Sequence, residues 1–122
     1  MAAGPVGDLA GMLAGMTPVL DPREWQFVLV EGDQPAAAFA LIREEEGTTA
    51  IIAGEGGGFA RITLMVHSAL EGVGLAAAVS GALAAAGIAC NVVAGFHHDH
   101  LFVPWDRRLE ALDILQRLAQ SG

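Results

Sequence analysis

The sequence predicts an α+β fold of the ferredoxin-like type: an antiparallel sheet with helices on one face, in two interlocked subdomains. Three observations predict it. The second half of the chain reads strand, helix, strand, strand, helix by its hydrophobic period. Residues 60–67 alternate, with Ile62, Leu64 and Val66 on one side and Arg61, Thr63, Met65 and His67 on the other. The chain ends just past the last helix, so this β-α-β-β-α unit lacks a final strand. The first half must fill that sheet position, and residues 25–31 are its strongest candidate.

The elements follow in order. Residues 6–16 are expected to form a short helix with Leu9, Met12, Leu13 and Met16 on one stripe. Thr17-Pro18 ends it, because a residue before proline avoids the helical region, and Pro22 falls in the connection. Residues 25–31 are β-rich and stop at the Gly32-Asp33 turn. Residues 37–43 and 48–53 read as a hairpin around a polar turn at Glu44-Glu45-Glu46-Gly47. The glycine-rich stretch 54–58 reads as a flexible linker and a subdomain boundary, dividing the chain into 1–58 and 59–122. It lacks the G-x-G-x-x-G spacing of a dinucleotide fingerprint, and a strand follows it.

The second half is more sharply patterned. After the strand 60–67 comes a short loop, then a helix over 74–86. That helix carries Leu75, Val79, Ala82, Leu83 and Ala86 on one face, with Gly87 as its C-cap. Strands are expected at 89–94 and 99–103, joined through 95–98. Pro104 stops the second, Asp106 is the expected N-cap, and residues 107–120 form a helix with Leu109, Leu112, Leu115 and Leu118 in register.

Composition narrows the function classes. The chain has 122 residues, 53% of them hydrophobic and 16% charged, which supports a substantial core and argues against disorder. Its mean hydropathy of +0.49 is more than so small a domain hides alone, so a homodimer is expected. The net charge is −8, and all six basic residues are arginine. That balance argues against nucleic-acid binding through a basic patch. Without lysine, Schiff-base chemistry and a P-loop are excluded. The single Cys90 cannot form an internal disulfide and fits a reducing cytoplasm. No targeting segment stands out. The uncharged stretch 72–90 approaches membrane-spanning length, but it is rich in Ala and Gly and broken at Gly87, so a buried helix is expected and no membrane contact.

In the ferredoxin-like topology the end of strand 60–67 lies beside the start of strand 99–103. His67 then approaches Asp99 and His100, the turn 95–99 and the loop 68–74 share that end of the sheet, and so does the start of the helix 74–86. Free N–H groups at a helix start favour a carboxylate. Gly72 and Gly74 permit close backbone approach, and Asp99 can accept from an ammonium or guanidinium group. An anion-favouring helix start opposite a carboxylate is a reasonable receptor for an amino acid.

Here the residues resemble a family. Strand, loop and helix with E-G-V-G-L-A-A-A-V-S-G-A-L-A-A-A-G-I, followed by C-N-V-V-A-G-F-H-H-D-H-L-F-V-P, is similar to ACT domains. The closest likeness is to small stand-alone bacterial ACT proteins related to the CASTOR arginine sensors. The resemblance covers residues 61–118. The first half, through Thr17-Pro18-Val19-Leu20, Phe27-Val28-Leu29-Val30 and Glu45-Glu46-Gly47-Thr48-Thr49, is similar to the N-terminal part of the same proteins, a degenerate ACT-like unit. The resemblance implies a non-enzymatic, amino-acid-binding regulatory module, dimeric and without a cofactor. Carried onto this chain, the ligand-binding residues are Glu71, Gly72, Val73, Gly74 and Leu75 of the loop, with Phe96 and Asp99 of the hairpin. His67, His98 and His100 support them.

Other readings stand beside this one. The chain can be a structural or partner-binding module with no small ligand. His97, His98, Asp99 and His100 could sense a metal, but their spacing fits no zinc motif and neighbours in a strand face opposite sides. Ser68 or Ser80 with a histidine and Asp99 lacks the G-x-S-x-G elbow of a hydrolase, so no catalytic residue is assigned. Glu71 serves equally well as a ligand contact or as a carboxylate that complements the helix dipole. Trp25 and Trp105 read as packing residues, and Cys90 as a buried strand residue.

Overall fold

The structure, a computed structural model, describes residues 8–66 and 73–121. In chain order its elements are α1 (Leu9–Ala14), β1 (Thr17–Val30), β2 (Ala40–Glu44), β3 (Gly47–Ala53), β4 (Phe59–Met65), α2 (Leu75–Ala85), β5 (Asn91–Ala94), β6 (Asp99–Pro104), a 3-10 turn at Trp105–Arg107 and α3 (Arg108–Gln120). The strands form one antiparallel sheet in the order β2-β3-β1-β4-β6-β5. This is the α+β ferredoxin-like arrangement, with β4 and β6 as central neighbours.

The vacant sheet position is filled by β1, but not by the part of it that the sequence favours. Residues Thr17–Leu20 pair with Met65–Ile62 of β4, whereas Trp25–Val30 pair with Ala53–Thr48 of β3. One 14-residue strand thus joins the two halves of the sheet. It is far longer than the expected 25–31 because both prolines are accommodated. Pro18 lies where β1 pairs on one side only, so its missing N–H costs no ladder bond. Pro22 lies in the register shift between Leu20 and Glu24, where pairing is interrupted.

Other boundaries also move. Asp8, read from sequence only as a break in an apolar run, caps α1, its Oδ2 accepting from Gly11 N at 2.8 Å. The hairpin β2–β3 closes through Glu44 opposite Gly47, as expected. The stretch 54–58 is a bonded turn, contrary to the flexible linker expected there. Gly54 N donates to Glu24 O and Gly58 N to Glu24 Oε2, both at 2.9 Å, and a Cβ on Gly57 would strike the Trp25 carbonyl oxygen. α2 ends as predicted: Gly87, at φ +73°, donates to Ala84 O while Ile88 N reaches back to Leu83 O, the Schellman pattern. At α3 the expected Asp106 N-cap is replaced by the 3-10 turn, and no side chain caps the helix. Its buried residues are Ala111 and Leu115, while Leu109 points to solvent.

The helices cover one face of the sheet. Met12 and Leu13 of α1, Leu75, Val79 and Leu83 of α2, and Ala111 and Leu115 of α3 pack on Ile62, Leu64, Leu101 and Val103. Each such aliphatic chain taken out of water contributes about 1.5–3 kcal/mol, which makes this layer the main source of stability. The alternation of β4 and β6 sends Arg61, Thr63, His100 and Phe102 to the opposite face. There a second cluster forms around Trp25, Ile51 and Phe102, with Phe39 and Phe59 against it.

Candidate functional site

The end of β4 and the start of β6 meet as the sequence predicts: Leu64 pairs with Asp99. The turn between β5 and β6 is closed by Gly95 N donating to His98 O at 2.9 Å. His98 Nδ1 lies 3.4 Å from Val66 O and so ties the turn to the end of β4. Phe96 at the tip is exposed, its ring 5.1 Å from that of His97. Asp99 is half-buried, and burial raises its carboxyl above the usual carboxylate range, with the positive charge of His98 opposing.

The described part of the strand-to-helix connection is Val73, Gly74 and Leu75. His67, Glu71 and Gly72 lie outside the described residues. Val73 is exposed, and Leu75 is buried in the helix-side core. Gly74 is the N-cap of α2 at φ +103° and offers no side-chain cap, so the first amides of α2 depend on water or a ligand. A Cβ on Gly74 would touch Leu9 of α1 at 3.4 Å, so α1 flanks this end of α2.

The sheet separates the histidines. His98 stays with the turn, but His100 faces away from the helices, its Nδ1 2.9 Å from Thr63 Oγ1 and its ring 4.8 Å from that of Phe39. Burial lowers its pKa, and the charges of Arg61 and His98 add to the effect. Among the described residues no group of three His, Cys, Asp or Glu side chains is placed to hold a metal ion.

A polar box on that same far face escaped sequence reasoning. Arg61 Nη2 donates to Asp21 Oδ2 at 2.6 Å, and its guanidinium lies 4.4 Å from the centre of Phe39 and 4.9 Å from that of Trp25. Arg23 covers the same Trp25 ring at 4.7 Å and donates to Asp21 through Nε and Nη2. Hydrogen bonds from Arg23, then from Arg61, hold the Asp21 carboxyl well below the usual range against the opposing effect of burial. Trp25 Nε1 and Arg61 Nε are buried without a hydrogen-bond partner. The alternation of β4 put Arg61 on this face. Its partners come from the other half of the chain, where no local pattern announces them.

Two open clefts lie elsewhere. One of about 610 Å³ is lined by Pro22, Arg23, Glu24, Gly54, Glu55 and Trp105; another of about 600 Å³ lies between Met16, Pro18 and the end of α3. Neither is lined by the residues that sequence assigned to a ligand. Cys90 packs against the helix-side core, and burial raises its thiol pKa. No helix among the described residues is long and apolar enough to cross a membrane.

Comparison with known proteins bears on this geometry. Residues 60–117 match the ACT domain, and residues 5–57 match it separately. Among solved structures, the chain is similar to a Vibrio cholerae protein described as of unknown function and a possible transport protein. The identity is 37% over 91% of this chain and 95% of that one, with a TM-score of 0.78. It shares its fold with an Agrobacterium tumefaciens protein (18% identity, 78% and 81% of the chains, TM-score 0.61). It also shares it with the ligand-free regulatory subunit of aspartate kinase from Thermus thermophilus (12% identity, 85% and 97%, TM-score 0.66). No curated protein matches the sequence.

Proposed function

The chain belongs to the ACT domain family, whose members generally serve as regulatory modules binding small molecules, and from that premise we propose a non-enzymatic amino-acid sensor acting as a cytoplasmic homodimer. The supporting observation is the meeting of two features at one end of the sheet. The uncapped start of α2 offers backbone N–H groups, and the half-buried Asp99 offers a carboxylate beside the β5–β6 turn. The first favours a ligand carboxylate and the second an ammonium or guanidinium. Glu71, Gly72, Val73 and Gly74 would edge the ligand, with Phe96 over it. Residues 59–122 form the sensing unit in this reading, and 1–58 a degenerate second unit.

The mechanism is differential binding. A ligand held only by the folded, correctly paired state stabilises it by about RT ln(1 + [L]/Kd), roughly 2.7 kcal/mol at a hundredfold excess over Kd. The likeness of 61–118 to the CASTOR arginine sensors puts arginine first among the compounds to test. A thermal-shift screen of the common amino acids at millimolar concentration should raise the melting temperature with one or a few of them. A flat response to all of them would refute the amino-acid reading.

A further inference from the structure

We infer that the sheet face opposite the helices is the surface on which a second copy of this chain docks, sheet against sheet. The inference rests on the homodimer of the preceding section and assigns its interface.

The register puts Val19, Phe27, Leu29, Ile42 and Met65 on that face, all exposed, around the half-buried Phe39, Phe59 and Val93. No described helix covers them, since all three helices pack on the other side. Leu29 is 62% exposed, although its neighbours across the strands are themselves apolar or Thr. Exposed apolar side chains scattered singly need no explanation, but five on one face of one sheet form a patch.

Size and charge select the occupant. Six strands spaced about 4.8 Å apart, each some six residues long at about 3.3 Å, give a face of roughly 29 by 20 Å. With side-chain relief, that approaches the ~800 Å² that each partner contributes to a standard interface. Two identical twisted sheets can pack face to face about 10 Å apart, with strand directions within about 30°. A chain of net charge −8 should repel its copy, yet this face is spared. Its charged groups are Asp21, held by Arg23 and Arg61, and Glu44 at the β2 edge. The Arg61 and Asp21 side chains are only 16% and 10% exposed, so their desolvation is largely complete in the single chain and association adds little further cost. A neutral apolar face on an acidic protein fits a copy of itself, because two copies bring the patches together while their acidic surfaces stay apart.

Sedimentation velocity at micromolar concentration tests this with Leu29→Glu, Met65→Glu and, as a control on the helix layer, Leu109→Glu. The expected result is a dimeric wild type and Leu109→Glu, and monomeric Leu29→Glu and Met65→Glu with unchanged circular dichroism. Hydroxyl-radical footprinting of the wild type adds a readout that needs no variant: oxidation of Met65 should fall several-fold as the dimer forms. Face variants that remain dimeric overturn the inference in favour of edge-to-edge pairing through β2 or β5, as does a Met65 that stays reactive in the dimer. A wild type that remains monomeric and floats with phosphatidylglycerol vesicles overturns it in favour of a lipid surface. An amino-acid thermal shift that survives in monomeric Leu29→Glu would leave the sensor reading standing alone, so the two ideas fail separately.

Discussion

Arg61 and Asp21, forty residues apart in sequence, meet at 2.6 Å on the far face of the sheet, with the guanidinium between the rings of Trp25 and Phe39. The contact staples β4 of one half of the chain to β1 of the other at the point where β1 changes register.

Asp21→Asn should therefore destabilise the protein by about 2–4 kcal/mol. It leaves a mostly buried guanidinium without its counter-charge, and the loss of one partner dominates over the modest worth of the pair itself. Equilibrium urea unfolding measures it. Arg23→Ala should cost less, about 1 kcal/mol or below, because Arg23 is largely exposed and its pairing is screened by water.

His100 sets a pH dependence. Its folded pKa lies below its unfolded value of about 6.5, so between the two the unfolded chain binds the proton and the folded chain does not. The stabilisation is complete above about pH 6.5 and is lost as the pH falls below it. His100→Phe should flatten the decline of melting temperature just below that pH. An unchanged slope would show that His100 is not the group responsible.

Asp99 behaves oppositely. Its folded pKa is raised, so the ionised form weakens the fold as the pH rises through that value. Asp99→Asn should leave stability at pH 7 unchanged or higher by less than about 1 kcal/mol, since the group is half-exposed and water screens the effect. It should also abolish any amino-acid thermal shift. A variant that is as stable as the wild type and still responds to ligand would remove Asp99 from the site.

Two glycines of the α2 region should respond in opposite directions. Gly87→Ala forces φ +73° on a residue with a Cβ and should cost about 1 kcal/mol, although no atom lies within 4 Å of the added methyl. Gly81→Ala, in the exposed middle of the helix with equally open space, should stabilise by about 0.5–1 kcal/mol. Thermal unfolding of both variants provides the comparison.

Local patterns in the sequence determined much of this protein. The alternation of β4, the Gly87 stop after α2, the β5–β6 hairpin and the meeting of Leu64 with Asp99 all follow from periods and punctuation within a few residues. The resemblance to ACT domains was carried by the same stretch. Three features were decided only by the tertiary structure. Pro18 and Pro22 look like strand breakers until the one-sided pairing and the register shift of β1 make room for them. The cluster His97 to His100 reads as one wall, yet the pleat sends His100 to the face opposite the helices. Arg61 looks like an ordinary outward residue of an alternating strand, yet it forms a buried ion pair. The reason is common to all three: which edge of a strand is paired, and what covers a face, depends on residues tens of positions away. Periodicity reports which side of an element is apolar, and only the packed sheet determines what that side meets.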